Sequence, residues 1–74
     1  MEKDLRSLWC TASGDRINCN EKIMVMEENL KEIKALLQDA IDDAVLMGCS
    51  EESFRKVYSE VVENLHSQYP EQKG

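Results

Sequence analysis

A single proline, three glycines, one Trp, one Phe and two Tyr leave little from which to build a turn-rich β protein. All the glycines and the proline fall outside the periodic apolar segments, so nothing interrupts those segments. Clustered Lys and Arg are also missing: 15 acidic side chains face 9 basic ones, for a net charge of −6 and a pI near 4.6. Nucleic-acid binding needs basic clusters that displace counterions, and anionic membranes need the same, so both partner classes are excluded. No apolar run approaches the ~20 residues of a membrane span. The opening "MEKDLRSLWC" lacks the basic-then-apolar order of a signal peptide, and a cytoplasmic protein is expected.

Cysteine chemistry has little to work with. Cys10, Cys19 and Cys49 are odd in number and irregularly spaced, which fits a reducing compartment. A zinc site from these three and His66 and a Cys10–Cys19 disulfide are both conceivable. The absence of a close Cys pair favours ordinary thiols, and no residue is marked as an activated nucleophile. No cofactor and no bound metal is expected.

What is present is helical periodicity. From Ile23 the apolar residues step by three and four through Met26, Leu30, Ile33, Leu37, Ala40, Ala44 and Met47. This a/d pattern predicts an amphipathic helix over about residues 20–47, with Asn20 as N-cap and Gly48 as the left-handed stop. Ser50 then caps a second helix over about 50–69, with Glu51 and Glu52 at the positive end of its dipole. Its stripe is Phe54, Tyr58, Val61 and Leu65, and Pro70 stops it. Glu51–Arg55 and Glu52–Lys56 are i, i+4 pairs in the favourable order. So short a connection makes the helices antiparallel neighbours: an all-α two-helix hairpin over 20–69. Residues 70–74 read as a disordered tail.

Residues 1–19 differ in kind, with zero net charge, the only Trp and a turn-like "TASGD". The spacing of Leu5, Leu8 and Trp9 allows a short helix over Asp4–Cys10. The segment is read either as a mobile or loosely packed leader, or as a cover for the hairpin anchored by Trp9. Two helices leave an apolar stripe with one face poorly covered, and stripes of that size bind something. Ile33, Leu37, Ala40 and Ala44 are the expected seam for a protein partner or for a homodimer closing a four-helix bundle. Asp39, Asp42 and Asp43 share one face and are read as solvated, or as a surface for a basic partner, rather than as a metal site.

The polar face of the second helix carries "SEVVE", Ser59 to Glu63, with hydroxyl and carboxylate side by side on one turn. The stretch "SEVVENLHSQY" resembles the small sporulation-regulating aspartyl-phosphate phosphatases of Gram-positive bacteria. Those are helical hairpins with S-Q-E-L-D on the second helix, followed by a leucine and a tyrosine. The resemblance spans about residues 27–69 and places Ser59 on the serine, Val62 on the leucine and Glu63 on the acid. Leu65 and Tyr69 fall on the following leucine and tyrosine. Glu60 replaces the glutamine, Val61 the glutamate, and Glu63 the aspartate. The resemblance implies docking on a response-regulator receiver domain in two-component signalling and hydrolysis of its aspartyl phosphate. Glu63 and Ser59 would then be catalytic, Glu60, Arg55, Tyr69 and Leu65 would contact the partner, and magnesium would sit only on the receiver. Sequence reasoning alone favours a small intracellular regulator or adaptor acting by protein–protein contact, with the phosphatase as the alternative.

Overall fold

The computed structural model describes residues 8–72, of which two segments are helical: α1, Asn20–Leu46, and α2, Glu51–Glu63. The expected all-α hairpin is present. Compact packing divides the chain into two units: one holds the N-terminal segment to Lys31 together with the chain from Tyr69, the other Glu32–Gln68. The 27 residues of α1 give it a length of about 40 Å, so it contributes to both units.

The hairpin unit contains the reversal between the helices. Gly48 has φ +97°, the left-handed conformation that costs a residue with a Cβ about 1–2 kcal/mol. The Gly48 N–H donates to Val45 O (3.0 Å) and the Cys49 N–H to Ala44 O (2.9 Å), the paired bonds of a Schellman motif. Ser50 follows in an extended conformation, φ −77° and ψ 153°, and its Oγ accepts from the Ser53 N–H at 3.0 Å. Orphaned carbonyls of one helix and an orphaned amide of the next are thus satisfied within a few residues. Glu51 and Glu52 occupy the first turn of α2, and Arg55 donates to Glu51 at 3.3 Å. Glu52 and Lys56, the second expected pair, make no such bond among the described residues.

Two boundaries differ from the sequence reading. The Ile23 N–H donates to Cys19 O, so Cys19 occupies the N-cap and Asn20 already lies in the first turn. The second helix ends at Glu63, not Tyr69. There the Asn64 N–H turns toward three carbonyls at once, while its side-chain amide donates to Glu60 O at 2.8 Å. Asparagine competes for backbone groups in this way and ends helices well. Leu65, expected in the apolar stripe, therefore lies beyond the helix and is exposed.

In the N-terminal unit, Thr11–Asp15 form the turn foreseen in "TASGD". Thr11 N–H donates to Asp15 O (2.7 Å) and Gly14 N–H to Thr11 O (3.0 Å), with Gly14 at φ +92°. This is a type I turn closed by a glycine bulge. A bridge between Cys10 and Arg16 and the Ile17 N–H bond to Trp9 O (2.9 Å) extend it. Cys10 is thus extended rather than helical, and the rest of the short helix considered for Asp4–Cys10 falls mainly outside the described residues. Ile23 is 6% exposed and centres this unit, with Trp9, Ile17, Met26 and Leu30 half-buried. Trp9 Nε1 is enclosed and has no hydrogen-bond partner.

Replacing Gly48 with alanine meets no atom within 4 Å, so its cost isolates the backbone strain. Chemical denaturation should show G48A destabilised by about 1–2 kcal/mol, and Ser50→Ala by about 1 kcal/mol. Equal stability of G48A and the parent would show that the reversal does not depend on that conformation.

Candidate functional site

The hairpin unit buries one large apolar side chain among its described residues, Phe54, at 8% exposure. Phe54 stacks on Tyr58 with ring centroids 4.0 Å apart, the i, i+4 pairing that a helix brings together. Ala40, Ile41 and Ala44 of α1 are half-buried. The expected seam is otherwise open: Ile33 and Leu37 are both exposed, as are Leu36 at 67% and Met47 at 87%. On α2, Val57, Val61 and Val62 are exposed as well.

Met47 and Val57 border one groove. That groove, of about 400 Å³, is lined by Ala40 and Ala44 from α1, by Met47 just past its end and by Phe54, Val57 and Tyr58 from α2, with Asp43 and Ser53 at its edges. Cys49, the residue after Gly48, completes it at the reversal. The two alanines keep its α1 wall low, because neither carries more than a methyl group. Helical spacing continues the apolar surface beyond the groove through Leu36, one turn before Ala40, and Val61, one turn after Val57. Sequence reasoning found the α1 contribution, Ala40 and Ala44, but not that Phe54, Val57 and Met47 would build the opposite wall and end. The pairing across the hairpin, which the tight reversal fixes, carries that information.

The "SEVVE" face is elsewhere. Ser59 and Glu63 lie on the side of α2 turned away from Phe54, both exposed, with no hydrogen bond or ion pair between them among the described residues. Glu63 is the last helical residue. Glu60 is exposed, and Arg55 is engaged by Glu51. Leu65 and Tyr69, both exposed, lie past the helix, so the motif's trailing positions do not continue its surface. Asp39, Asp42 and Asp43 are exposed on α1, and Gln38 donates to Asp42 at 3.1 Å. Among the described residues, no three His, Cys, Asp or Glu side chains are arranged to hold a metal ion. The three cysteines are free and exposed. No described helix is long and apolar enough to cross a membrane.

No protein-family model, curated protein or solved structure matches the chain.

The contrast between Phe54 and Leu65 gives a direct check. Phe54→Ala should cost the hairpin about 3 kcal/mol or more as a buried truncation. Leu65→Ala should change stability by less than about 0.5 kcal/mol, as exposed substitutions do. Urea titration followed by circular dichroism measures both, and equal costs would place Leu65 in the core after all.

Proposed function

We propose that this protein is a small cytoplasmic regulator or adaptor that works by protein–protein contact through the open face of its hairpin. The observation that carries this reading is the imbalance in the hairpin unit. Phe54 is buried there, while Val57 stands exposed in the groove and helical spacing carries the apolar surface on through Ile33, Leu36, Leu37 and Val61, all exposed. An isolated exposed leucine needs no explanation, but a contiguous apolar surface rimmed by charge marks an interaction site. The seam Ile33, Leu37, Ala40 and Ala44 supplies the α1 half of that contact, for a second copy or for a different protein.

Sedimentation equilibrium tests the contact reading without knowledge of the partner. With the apolar face free, the protein should self-associate as concentration rises toward millimolar. Association should strengthen with salt, because the hairpin is acidic and added ions screen its self-repulsion. Leu37→Asp should abolish that association by placing an unpaired charge in the seam. A helical monomer at every concentration and salt, with no affinity for an apolar dye, would reject the reading.

A second reading, hydrolysis of a receiver aspartyl phosphate, draws support from the exposed pairing of Ser59 and Glu63 one turn apart on α2. In it, Glu63 would orient a water in line with phosphorus. The P–O bond to the receiver carboxylate breaks as the new P–O bond forms, and the receiver's magnesium takes up the charge. Glu63→Ala should then abolish loss of label from phosphorylated receivers. Its cost to the fold should stay within about 0.5 kcal/mol, since Glu63 is an exposed carboxylate at the negative end of the α2 dipole. Glu63→Asp, which restores the residue of the resembling family, should keep or raise activity, and Glu60→Gln should raise it by removing a charge that repels phosphate. Phosphorylated receivers left intact and unbound by the parent protein would end this reading.

A further inference from the structure

The groove of the hairpin has a chemical character beyond being apolar. Its lining on this side runs from Ala40 on α1 to Met47, the residue after the helix ends, a span of about 10 Å. That is the footprint over which an amphipathic helix presents its i, i+3, i+4 and i+7 anchors. The low wall at Ala40 and Ala44 admits a helix rather than a single side chain. Met47, beside the reversal, is an exposed and flexible side chain that adapts to more than one shape of anchor.

The rim is acidic. Asp43 lies on the edge of the groove, Asp39 is one turn before it, and Glu32 is two turns further back on the same side of α1. On the α2 side, Glu60 follows Ser53 by two turns. Lys56, one turn after Ser53, is the basic side chain nearest this rim, while Lys34 and Arg55 lie on the opposite flanks of their helices. Neither helix has a basic residue in its last turn. The unit as a whole holds eight Asp and Glu against three Lys and Arg, five of the six excess negative charges of the chain.

A second copy seated in this groove would bring one acidic rim against another, and an isologous contact repeats that repulsion on both sides of its axis. A helix with an apolar face and basic flanks meets the opposite situation: its anchors fill the groove while Lys and Arg oppose Asp39, Asp43 and Glu60. We infer that the groove between α1 and α2 is a docking site for a cationic amphipathic helix of a partner protein. This rests on the contact reading above and narrows it to one chemistry.

Three labelled synthetic peptides of equal length test it by fluorescence anisotropy against the intact protein. The first carries a leucine face with lysine flanks, the second the same leucine face with glutamate flanks. The third has the composition of the first, scrambled so that no apolar face forms. The first alone should bind, and its affinity should fall by about tenfold or more between low and high salt. Asp39→Asn with Asp43→Asn should weaken it by about tenfold, while Asp42→Asn, at the edge of that acidic face away from the groove, should weaken it by much less. All of these aspartates are exposed, and unaltered helicity of the variants confirms that the fold is intact. Equal binding of the lysine and glutamate peptides overturns the inference, as does equal binding of the scrambled one, or an equal effect of Asp42→Asn. A homodimer that persists at low salt and excludes every peptide also overturns it, yet sustains the contact reading. Absence of both peptide binding and self-association at any salt overturns the two together.

Discussion

The reversal at Gly48–Ser50 is the constraint on which the hairpin depends. One glycine in the left-handed region turns the chain, two amides return to the carbonyls of Val45 and Ala44, and one serine hydroxyl starts the next helix. So short a link leaves α2 little freedom in its rotation relative to α1. The last residues of α1 and the first of α2 are thereby brought to one groove, where Ala44, Cys49 and Phe54 meet. Ala44 and Cys49 are the two residues that the Schellman motif sets together, and Cys49 and Phe54 flank the N-cap as a hydrophobic staple does. Local backbone chemistry and the apolar contact therefore specify the same geometry, and that agreement across levels lets so small an element hold one shape.

Such a geometry leaves the core thin. A chain of this length buries only about 60% of its unfolded surface even when compact. Here Ile23 and Phe54 are the buried apolar side chains among the described residues, one in each unit. The aliphatic stripe that forms α1 is half-buried at Ala40, Ile41 and Ala44 and left open at Ile33, Leu36 and Leu37. The reason is arithmetic: α2 has 13 residues, about half the 27 of α1, and cannot screen the whole stripe.

The sequence is most legible where a single residue type has a single physical role. Gly48, Ser50 and the "TASGD" turn are read correctly because only glycine takes φ near +95° without strain and a serine hydroxyl is among the few short polar groups that cap a helix well. The α1 helix is legible because its three–four spacing runs unbroken for its whole length. Periodicity misleads at the end of α2, where Leu65 keeps the spacing but Asn64 supplies a stronger local stop and no packing partner opposes it. The cap of α1 is missed by one residue, Cys19 in place of Asn20, because a backbone carbonyl leaves no trace in side-chain chemistry. For the candidate site, Ala40 and Ala44 are visible as positions of a seam, whereas the wall opposite them depends on which face of α2 the reversal presents. That is a three-dimensional fact, and no pattern within α2 distinguishes Val57 from Val62.

The two faces of α2 then separate naturally into independent roles. Phe54, Val57 and Val61 point toward the groove, and Ser59 and Glu63 point away from it. A helix seated in the groove would cover the exposed apolar residues and do for the hairpin what a third helix does in a bundle. Binding of that kind stabilises the folded state by mass action, by about 2.7 kcal/mol when ligand stands at a hundred times its dissociation constant. This is close in size to what one buried side chain contributes, so in a fold with one such side chain in the hairpin unit it would be a large share of the total. The residues that make the surface sticky are therefore the same ones whose burial would complete the core. Stability and recognition draw on one set of side chains, and the opposite face of α2 is left free to carry charge without cost to either.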